Sequence, residues 1–184
     1  MASFRRIVLI LLAIVVSVVL LLVGAFWYSS IHPSDASLER LFYDHRAEYE
    51  RIVRMMDEDI HMVRIADDFT RKDDDWNEER PESQWGISKA RWDQYREIFR
   101  LAEVPTGTQR GSKSCDVEII AWTFGLAVAG SSLSFVHCGK PSRDLVNDYL
   151  PCLERKDSGS KVEDGTLIRY RKIQPDWYIY EFTD

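Results

Sequence analysis

A long apolar run near the N-terminus constrains this chain more than any other feature. Residues 7–28 contain no charged side chain, and Arg5 and Arg6 stand just before them. As a helix, this run would span roughly 33 Å, enough to cross a bilayer core of about 30 Å. A soluble helix needs a polar face, and this segment has none. The sequence therefore predicts a single transmembrane helix over residues 7–28.

A cleaved signal peptide is the alternative interpretation of the same run. The two arginines would form its basic region, and the small residues that end at Ala25 would allow a cut. The apolar run before that position is longer than usual for a signal peptide. Trp27 and Tyr28 also suit the aromatic belt at a membrane interface. These features favour an uncleaved anchor.

The position of the arginines predicts how the chain is arranged about the membrane. The positive-inside rule places the N-terminus in the cytoplasm and the chain after the span on the other side. Both interpretations of the leader export the same domain, which at about 150 residues is long enough for one core. The predicted organisation is a cytoplasmic N-terminus (1–6), a transmembrane helix (7–28), a linker (29–36) and an exported domain (37–184).

Charge limits the partners that the exported domain can have. All 30 acidic residues follow the span with 22 of the 24 basic ones, which leaves a net charge of −8 there. An acidic surface argues against binding to nucleic acid and to anionic lipid headgroups. The same charge permits a basic protein partner, although solubility alone also explains it.

The chain has three cysteines, Cys115, Cys138 and Cys152, all in the exported part. An oxidising compartment allows one disulfide and leaves one thiol over, so three pairings are possible. Cys138 with Cys152 is favoured because glycine and proline residues between them indicate a loop that a bridge would restrain. No Cys-x-x-Cys motif supports a zinc ribbon or a redox site.

Two segments have the periodicity of amphipathic helices. In the first, apolar residues recur at three- and four-residue spacing from Leu38 to Met56. In the second, Ser88 can act as N-cap, and Ile87 and Trp92 suit a hydrophobic staple. The apolar face of this second helix is formed by Trp92, Tyr95, Ile98, Phe99 and Ala102.

Strand-forming residues dominate the second half of the chain. "CDVEIIAWTF", "LAVA", "LSFVHC", "TLIRYRKI" and "WYIYEF" read as strands, and a hairpin is predicted at Gln174-Pro175-Asp176. A further short strand is predicted near residues 63–69. The predicted fold class is α+β: an N-terminal transmembrane helix, then two amphipathic helices on an antiparallel sheet of four to five strands.

The acidic stretch "RKDDDWNEER" raises the question of a calcium site. Asp73, Asp75 and Asn77 have the one-three-five spacing of a calcium-binding loop. The sixth position, however, is Glu78 where glycine is needed, and the twelfth is Gln84 where a bidentate glutamate is needed. The stretch also contains its own basic residues. It therefore reads as a solvated or partner-facing loop, and neither a metal nor a cofactor is predicted.

Tryptophans in and beside this loop suggest where a partner could bind. Exposed aromatic residues dominate the energetics of protein interfaces, although both tryptophans could instead fill the core. The predicted partner-binding residues are Asp73, Asp74, Asp75, Trp76 and Trp85.

No catalytic motif is complete. The serines in "GSSLS" do not form the Gly-x-Ser-x-Gly elbow of α/β-hydrolases, and His-Glu-x-x-His is absent. The alternative to a binding protein is an envelope hydrolase that uses histidine and carboxylates from separate segments. Its candidate residues are His45, Glu48, Asp67 and Asp68.

Three segments carry a resemblance to a known group of proteins. "HRAEYERIVRMMDEDIHMVRIADDFT", "WGISKARWDQYREIFR" and "WYIYEF" resemble bacterial membrane-anchored proteins that have no assigned activity. The resemblance implies a bacterial envelope and transfers no functional residue. With the span, it predicts a single-pass protein of the bacterial inner membrane whose C-terminal domain is periplasmic.

These observations favour a membrane-tethered protein-binding domain without catalytic activity. One form of this function is an immunity-type inhibitor of a protein that acts on the envelope. The hydrolase described above and a structural subunit of a membrane assembly remain the alternatives.

Overall fold

The computed structural model describes residues 14–21, 24, 33–72, 82–110, 117–126, 129–139, 158–163 and 166–183. The chain divides into two compact units, Met1–Ser34 and Asp35–Asp184. The second unit contains one antiparallel sheet and the helices that pack on it.

The prediction of a membrane-spanning helix over residues 7–28 is contradicted. Residues 14–21 are helical, as is residue 24. Among the described residues, no helix combines the length and the apolar character needed to cross a membrane. The predicted single-pass placement in a bacterial inner membrane is corrected with it.

Three α-helices occur among the described residues of the second unit, where two were predicted. They are Asp35–Asp44 (α1), Arg46–Glu58 (α2) and Lys89–Leu101 (α3), with a 3-10 turn at Glu82–Gln84. The predicted long first helix is interrupted at His45, whose ψ of 21° departs from the helical value. Helical hydrogen bonds continue across this residue, so one apolar stripe runs along both helices.

The N-terminus of α3 agrees with its sequence signal. Ser88 is extended, with φ −69° and ψ 153°, and its hydroxyl accepts a hydrogen bond from the backbone N–H of Arg91. The bond satisfies one of the free N–H groups at the helix start. The N-cap prediction is therefore confirmed.

The sheet has eight strands among the described residues, so the prediction of four to five is wrong. In chain order they are Met62–Ile65 (β1), Thr70–Lys72 (β2), Thr108–Arg110 (β3), Val117–Leu126 (β4), Ala129–His137 (β5), Ser158–Glu163 (β6), Thr166–Gln174 (β7) and Trp177–Thr183 (β8). Their order across the sheet is β2-β1-β3-β4-β5-β8-β7-β6. Every neighbouring pair is antiparallel.

The strands missed by the sequence have a common cause. β2 and β3 contain three polar or charged residues each, and β6 reads Ser-Gly-Ser-Lys-Val-Glu. Each of these segments has only one β-branched residue and no aromatic residue, so the composition that marks strands in sequence is weak in them. They are strands because a neighbouring strand supplies the backbone hydrogen bonds.

The main core lies between the helices and one face of the sheet. Phe42, Tyr49, Ile119 and Phe135 are fully buried in it. Phe135 packs against Phe42 and Tyr49, with ring centroids 5.4 Å and 5.0 Å apart. Alternation along the strands places a smaller cluster, which includes Val136 and Tyr178, on the opposite face.

A glycine allows the close approach of β3 to β1. Gly107 has φ +90°, and a Cβ atom there would lie 2.2 Å from the carbonyl oxygen of Ile65. Any side chain at this position would force the two strands apart. The short strand β3 is thereby held beside β1, next to the end of α3.

Candidate functional site

A cleft of about 770 Å³ runs beside α3. Helix α3 supplies one wall, and the segment that follows it supplies a second. Leu41 of α1, Asp67 of the β1–β2 turn and Ala121 of β4 complete the lining. We call this the α3 cleft; its remaining lining residues are Asp93, Arg96, Glu97, Phe99, Arg100, Glu103, Val104 and Pro105.

The floor of the α3 cleft is apolar. Phe99 and Val104 are buried there, and Leu41 and Ala121 are partly buried against the same core. Ala121 lies in a register irregularity of β4 between Ile120 and Trp122. Bulges of this kind re-aim side chains and bend the strand. An apolar segment of a ligand could therefore displace water from this floor.

The rim of the cleft is charged and predominantly acidic. Four carboxylates face two guanidinium groups, which gives a formal charge of −2. Arg100 forms a two-pronged pair with Glu97, at 2.7 and 3.1 Å. This pairing lowers the pKa of Glu97 and raises that of Arg100. The positive charge of Arg100 is thus already matched inside the cleft.

Arg96 is held by several groups at once. Its Nε donates to the backbone carbonyl of Asp67 at 2.7 Å, and its Nη1 lies 3.2 Å from the carboxylate of Asp93. The guanidinium also lies 4.0 Å from the ring centroid of Trp92, a cation–π arrangement. A hydrogen bond from Lys89, with help from Arg96, lowers the pKa of Asp93. Both arginines of the rim are therefore committed to internal contacts.

Glu103 is the acidic group of the rim with most capacity for a ligand. Its side chain is exposed, and within the described part of the chain it has no ion-pair partner. Its φ of +53° is unusual for a residue other than glycine. Burial raises the pKa of neighbouring Tyr49, and Glu103 and then Glu48 raise it further. The Tyr49 hydroxyl therefore stays protonated and donates to the carbonyl of Ala102 at 3.3 Å.

Ion pairs and a hydrogen bond join α3 to the C-terminal end of α2. Arg91 reaches Asp59 and Glu58 at 2.7 Å each, and the Tyr95 hydroxyl donates to Asp59 at 2.9 Å. Burial alone would lower the pKa of Arg91, but its bonds to these two carboxylates raise it. These groups stabilise the fold and are not available to a ligand, because each charged group already has an oppositely charged partner.

The predicted partner-binding residues are only partly within the described chain. Asp73, Asp74, Asp75 and Trp76 lie outside the described residues. Trp85 is partly buried against the core.

Its ring contacts that of Trp92, with centroids 4.8 Å apart and planes at 76°. The Thr70 hydroxyl donates to its carbonyl at 2.8 Å. Trp85 therefore has a packing role, and its role in binding stays a prediction.

The residues of the hydrolase alternative lie in different surroundings. His45 occupies the junction of α1 and α2, where its ring lies 6.3 Å from that of Tyr49. Asp67 lines the α3 cleft, with its carboxylate 3.9 Å from Arg96. Glu48 lies on α2 and Asp68 follows Asp67 in the β1–β2 turn. Among the described residues, no three His, Cys, Asp or Glu side chains are placed to hold a metal ion.

Ser134 contacts a carboxylate, but the arrangement is not that of a catalytic serine. Its hydroxyl donates to Glu118 at 2.6 Å, and the Gln109 amide donates to the other oxygen at 2.7 Å. A serine nucleophile needs a base that accepts its proton and a group that orients that base. Here two neutral donors hold the carboxylate on the sheet face away from the helices. The three side chains therefore form a structural hydrogen-bond network.

Cys138 is disulfide-bonded. Its partner lies outside the described residues, so the pairing with Cys152 stays a prediction. Cys138 is buried beside Val136 and Tyr178, directly after β5. One sulfur of the disulfide therefore lies in the smaller core cluster.

Sequence reasoning missed most of the α3 cleft. One local signal was available: Asp93 with Arg96 and Glu97 with Arg100 are pairs of opposite charge at three-residue spacing beside the apolar face of α3. The contributions of Leu41 and Ala121 had no such signal, because they come from distant segments that meet only in the fold.

Comparisons of the chain with family models, with curated proteins and with solved structures found no match.

Proposed function

We propose that this protein is a non-catalytic protein-binding domain whose α3 cleft takes a partner segment that combines basic and apolar side chains. The supporting observation is the composition of the cleft. Its arginines are paired internally, its carboxylates are in excess, and its floor is apolar. An inhibitor that neutralises a basic protein is one form of this function.

The chemistry of the cleft decides the class of ligand. A basic side chain would pair with Glu103 without first displacing an internal arginine. An adjacent apolar side chain would cover Phe99 and Val104. Such a partly desolvated pair is stronger than an exposed one, because the local dielectric is lower. The acidic net charge of −6 would also speed the encounter with a basic partner.

The test is a selection from random peptides displayed on phage, using the full chain with its disulfide intact. The cleft variant carries Asp67→Lys and Glu103→Lys, both at exposed positions. The matched control carries Asp44→Lys and Glu82→Lys, which change the net charge equally outside the cleft. Thermal melts of all three proteins establish that each variant is folded.

The proposal expects enriched peptides in which basic and apolar residues adjoin. These peptides should bind the control variant as they bind the wild type, and lose at least ten-fold in affinity for the cleft variant. Peptides that bind all three proteins equally would overturn the proposal, as would a selection that yields no specific binder.

A further inference from the structure

The turn that ends α3 has an acidic residue at a position that favours glycine. The backbone N–H of Val104 donates to the carbonyl of Phe99 at 2.9 Å. This bond closes a Schellman motif around the C-cap Ala102, and in that motif the residue after the C-cap adopts the left-handed conformation. Here that residue is Glu103, with φ +53°. Glycine has no Cβ and takes this conformation without steric strain.

The charge of Glu103 is also unfavourable at this position. The last turn of a helix exposes carbonyl groups that carry a partial negative charge, so they repel a carboxylate beside them. Within the described chain, Glu103 has no cationic partner that would offset the repulsion. Backbone conformation and charge are independent properties, and both make glutamate less stable here than glycine would be.

The structure around Glu103 holds it in place. Ala102 and Val104, on either side of it, are buried, and the Tyr49 hydroxyl donates to the carbonyl of Ala102 at 3.3 Å. Val104 and Phe99 belong to the main core and also line the floor of the α3 cleft. The turn therefore presents an exposed carboxylate at a fixed point of the rim, one residue from the apolar floor.

The other three carboxylates of the rim already lie beside arginines. Asp93 and Glu97 pair with arginines of α3 at 3.2 and 2.7 Å, and the carboxylate of Asp67 lies 3.9 Å from Arg96. A cation that enters the cleft would compete with an arginine at each of these three groups. At Glu103 it would meet no such competitor, and the negative end of α3 would attract it as well.

We propose that Glu103 is the residue of the α3 cleft that pairs with the cationic side chain of the partner segment, and that its carboxylate strengthens binding while it lowers the stability of the fold. The assignment rests on the proposed function, since it concerns the same cleft and the same class of ligand. Strained residues persist where the surrounding structure fixes them, and they cluster at functional sites. An ammonium or guanidinium group at Glu103 would relieve the repulsion between the carboxylate and the helix end.

Two substitutions at Glu103 separate binding from stability. Glu103→Gly removes both the strained conformation and the charge, so its thermal midpoint should rise by about 2–4 °C. Glu103→Gln removes the charge and keeps the size of the side chain, so its midpoint should lie between those of the wild type and Glu103→Gly. Glu82→Gln, at an exposed residue outside the cleft, is the matched control.

Isothermal titration calorimetry measures the affinity of each protein for the tightest peptide from the display selection. The full chain is used with its disulfide intact. Both Glu103 variants should bind that peptide at least ten-fold more weakly than the wild type does, while Glu82→Gln should bind it equally. A purely structural role for Glu103 would not give a variant that is more stable and yet binds less.

Two results would overturn the assignment and leave the proposed function standing. In the first, the peptide loses affinity for the Asp67→Lys and Glu103→Lys double variant but binds Glu103→Gly and Glu103→Gln as it binds the wild type. In the second, Glu103→Gly lowers the thermal midpoint, so that glycine is not the more stable residue there. A selection that yields no specific binder would instead overturn the proposed function, and the assignment with it.

Discussion

The part of the sheet that the helices cover and the margin at β6 differ in how far their apolar side chains are exposed to solvent. Under the helices, Phe42, Tyr49 and Phe135 lose all contact with solvent. Val162 of the edge strand β6 and Phe182 near the end of β8 stay exposed, although both belong to the same sheet. The covered part supplies most of the free energy of folding, while the margin and the α3 cleft leave apolar surface exposed.

Core truncation should give the largest contrast between the two parts. Phe135→Ala should lower the free energy of unfolding by about 3–5 kcal/mol, because it removes a buried ring and leaves a cavity. Phe182→Ala, at a ring 37 % exposed, should cost less than about 1.5 kcal/mol. Urea denaturation of both variants checks this. Equal losses would show that the margin is as well packed as the core.

The next largest effect concerns an ion pair below the helices. The side chain of Arg110 is 6 % exposed, and its Nη2 lies 2.9 Å from the carboxylate of Asp57. Arg110→Met leaves that carboxylate without its partner and should cost about 3 kcal/mol of stability.

The exposed pair of Arg100 with Glu97 is the comparison for this variant. Arg100→Met should leave the midpoint of urea denaturation unchanged within error, because exposed pairs contribute little. If the two variants lost the same stability, burial would not be what makes the Arg110 pair important.

Trp85 tests whether a residue predicted to bind a partner is needed for the fold. Its ring packs on Trp92 and on the main core. Trp85→Ala should therefore lower the free energy of unfolding by about 2 kcal/mol, less than a fully buried aromatic residue would. An unchanged thermal midpoint would contradict the packing role of Trp85. It would favour the prediction that Trp85 binds a partner.

The smallest effect is a pH dependence at the end of β5. Burial lowers the pKa of His137 from 6.5, although Asp176, Asp57 and Glu50 oppose that shift. Below pH 6.5 the unfolded state binds a proton that the folded state resists. The contribution of neutral His137 to stability is therefore complete above pH 6.5 and is lost as the pH falls through the depressed value.

Stability measured by urea between pH 7 and pH 5 should show this fall in the wild type. His137→Gln should flatten it, while His61→Gln, at an exposed residue, should retain it. A fall of the same size in His137→Gln would assign the dependence to other groups.

Local signals in the sequence predicted the parts of this fold that depend on near neighbours. The Ser88 cap, the buried face of α3 and the turn before Trp177 follow from capping, periodicity and turn chemistry. No local signal predicted the break at His45, because the residues on both sides of it continue the apolar stripe. β6 was invisible because its pairing with β7, not its composition, makes it a strand.

The α3 cleft was not predicted from the sequence. The acidic loop was singled out because its charges are adjacent in sequence, whereas the carboxylates of the α3 cleft come from two separate segments, the β1–β2 turn and residues 93–103. Glu103 acquires its position from the turn after α3, and Asp67 from the turn between two short strands. Apart from the charge pattern of α3, proximity created by folding left no local signal in composition or spacing.

Chemical-shift mapping of the isotopically labelled full chain tests the central claim most directly. The titrant is the tightest peptide from the display selection. Our account predicts that amide signals of Glu97, Phe99 and Glu103 shift on titration, while those of Ser160 and Val162 do not. Shifts confined to β6, or spread evenly over the acidic surface, would contradict the assignment of binding to the α3 cleft.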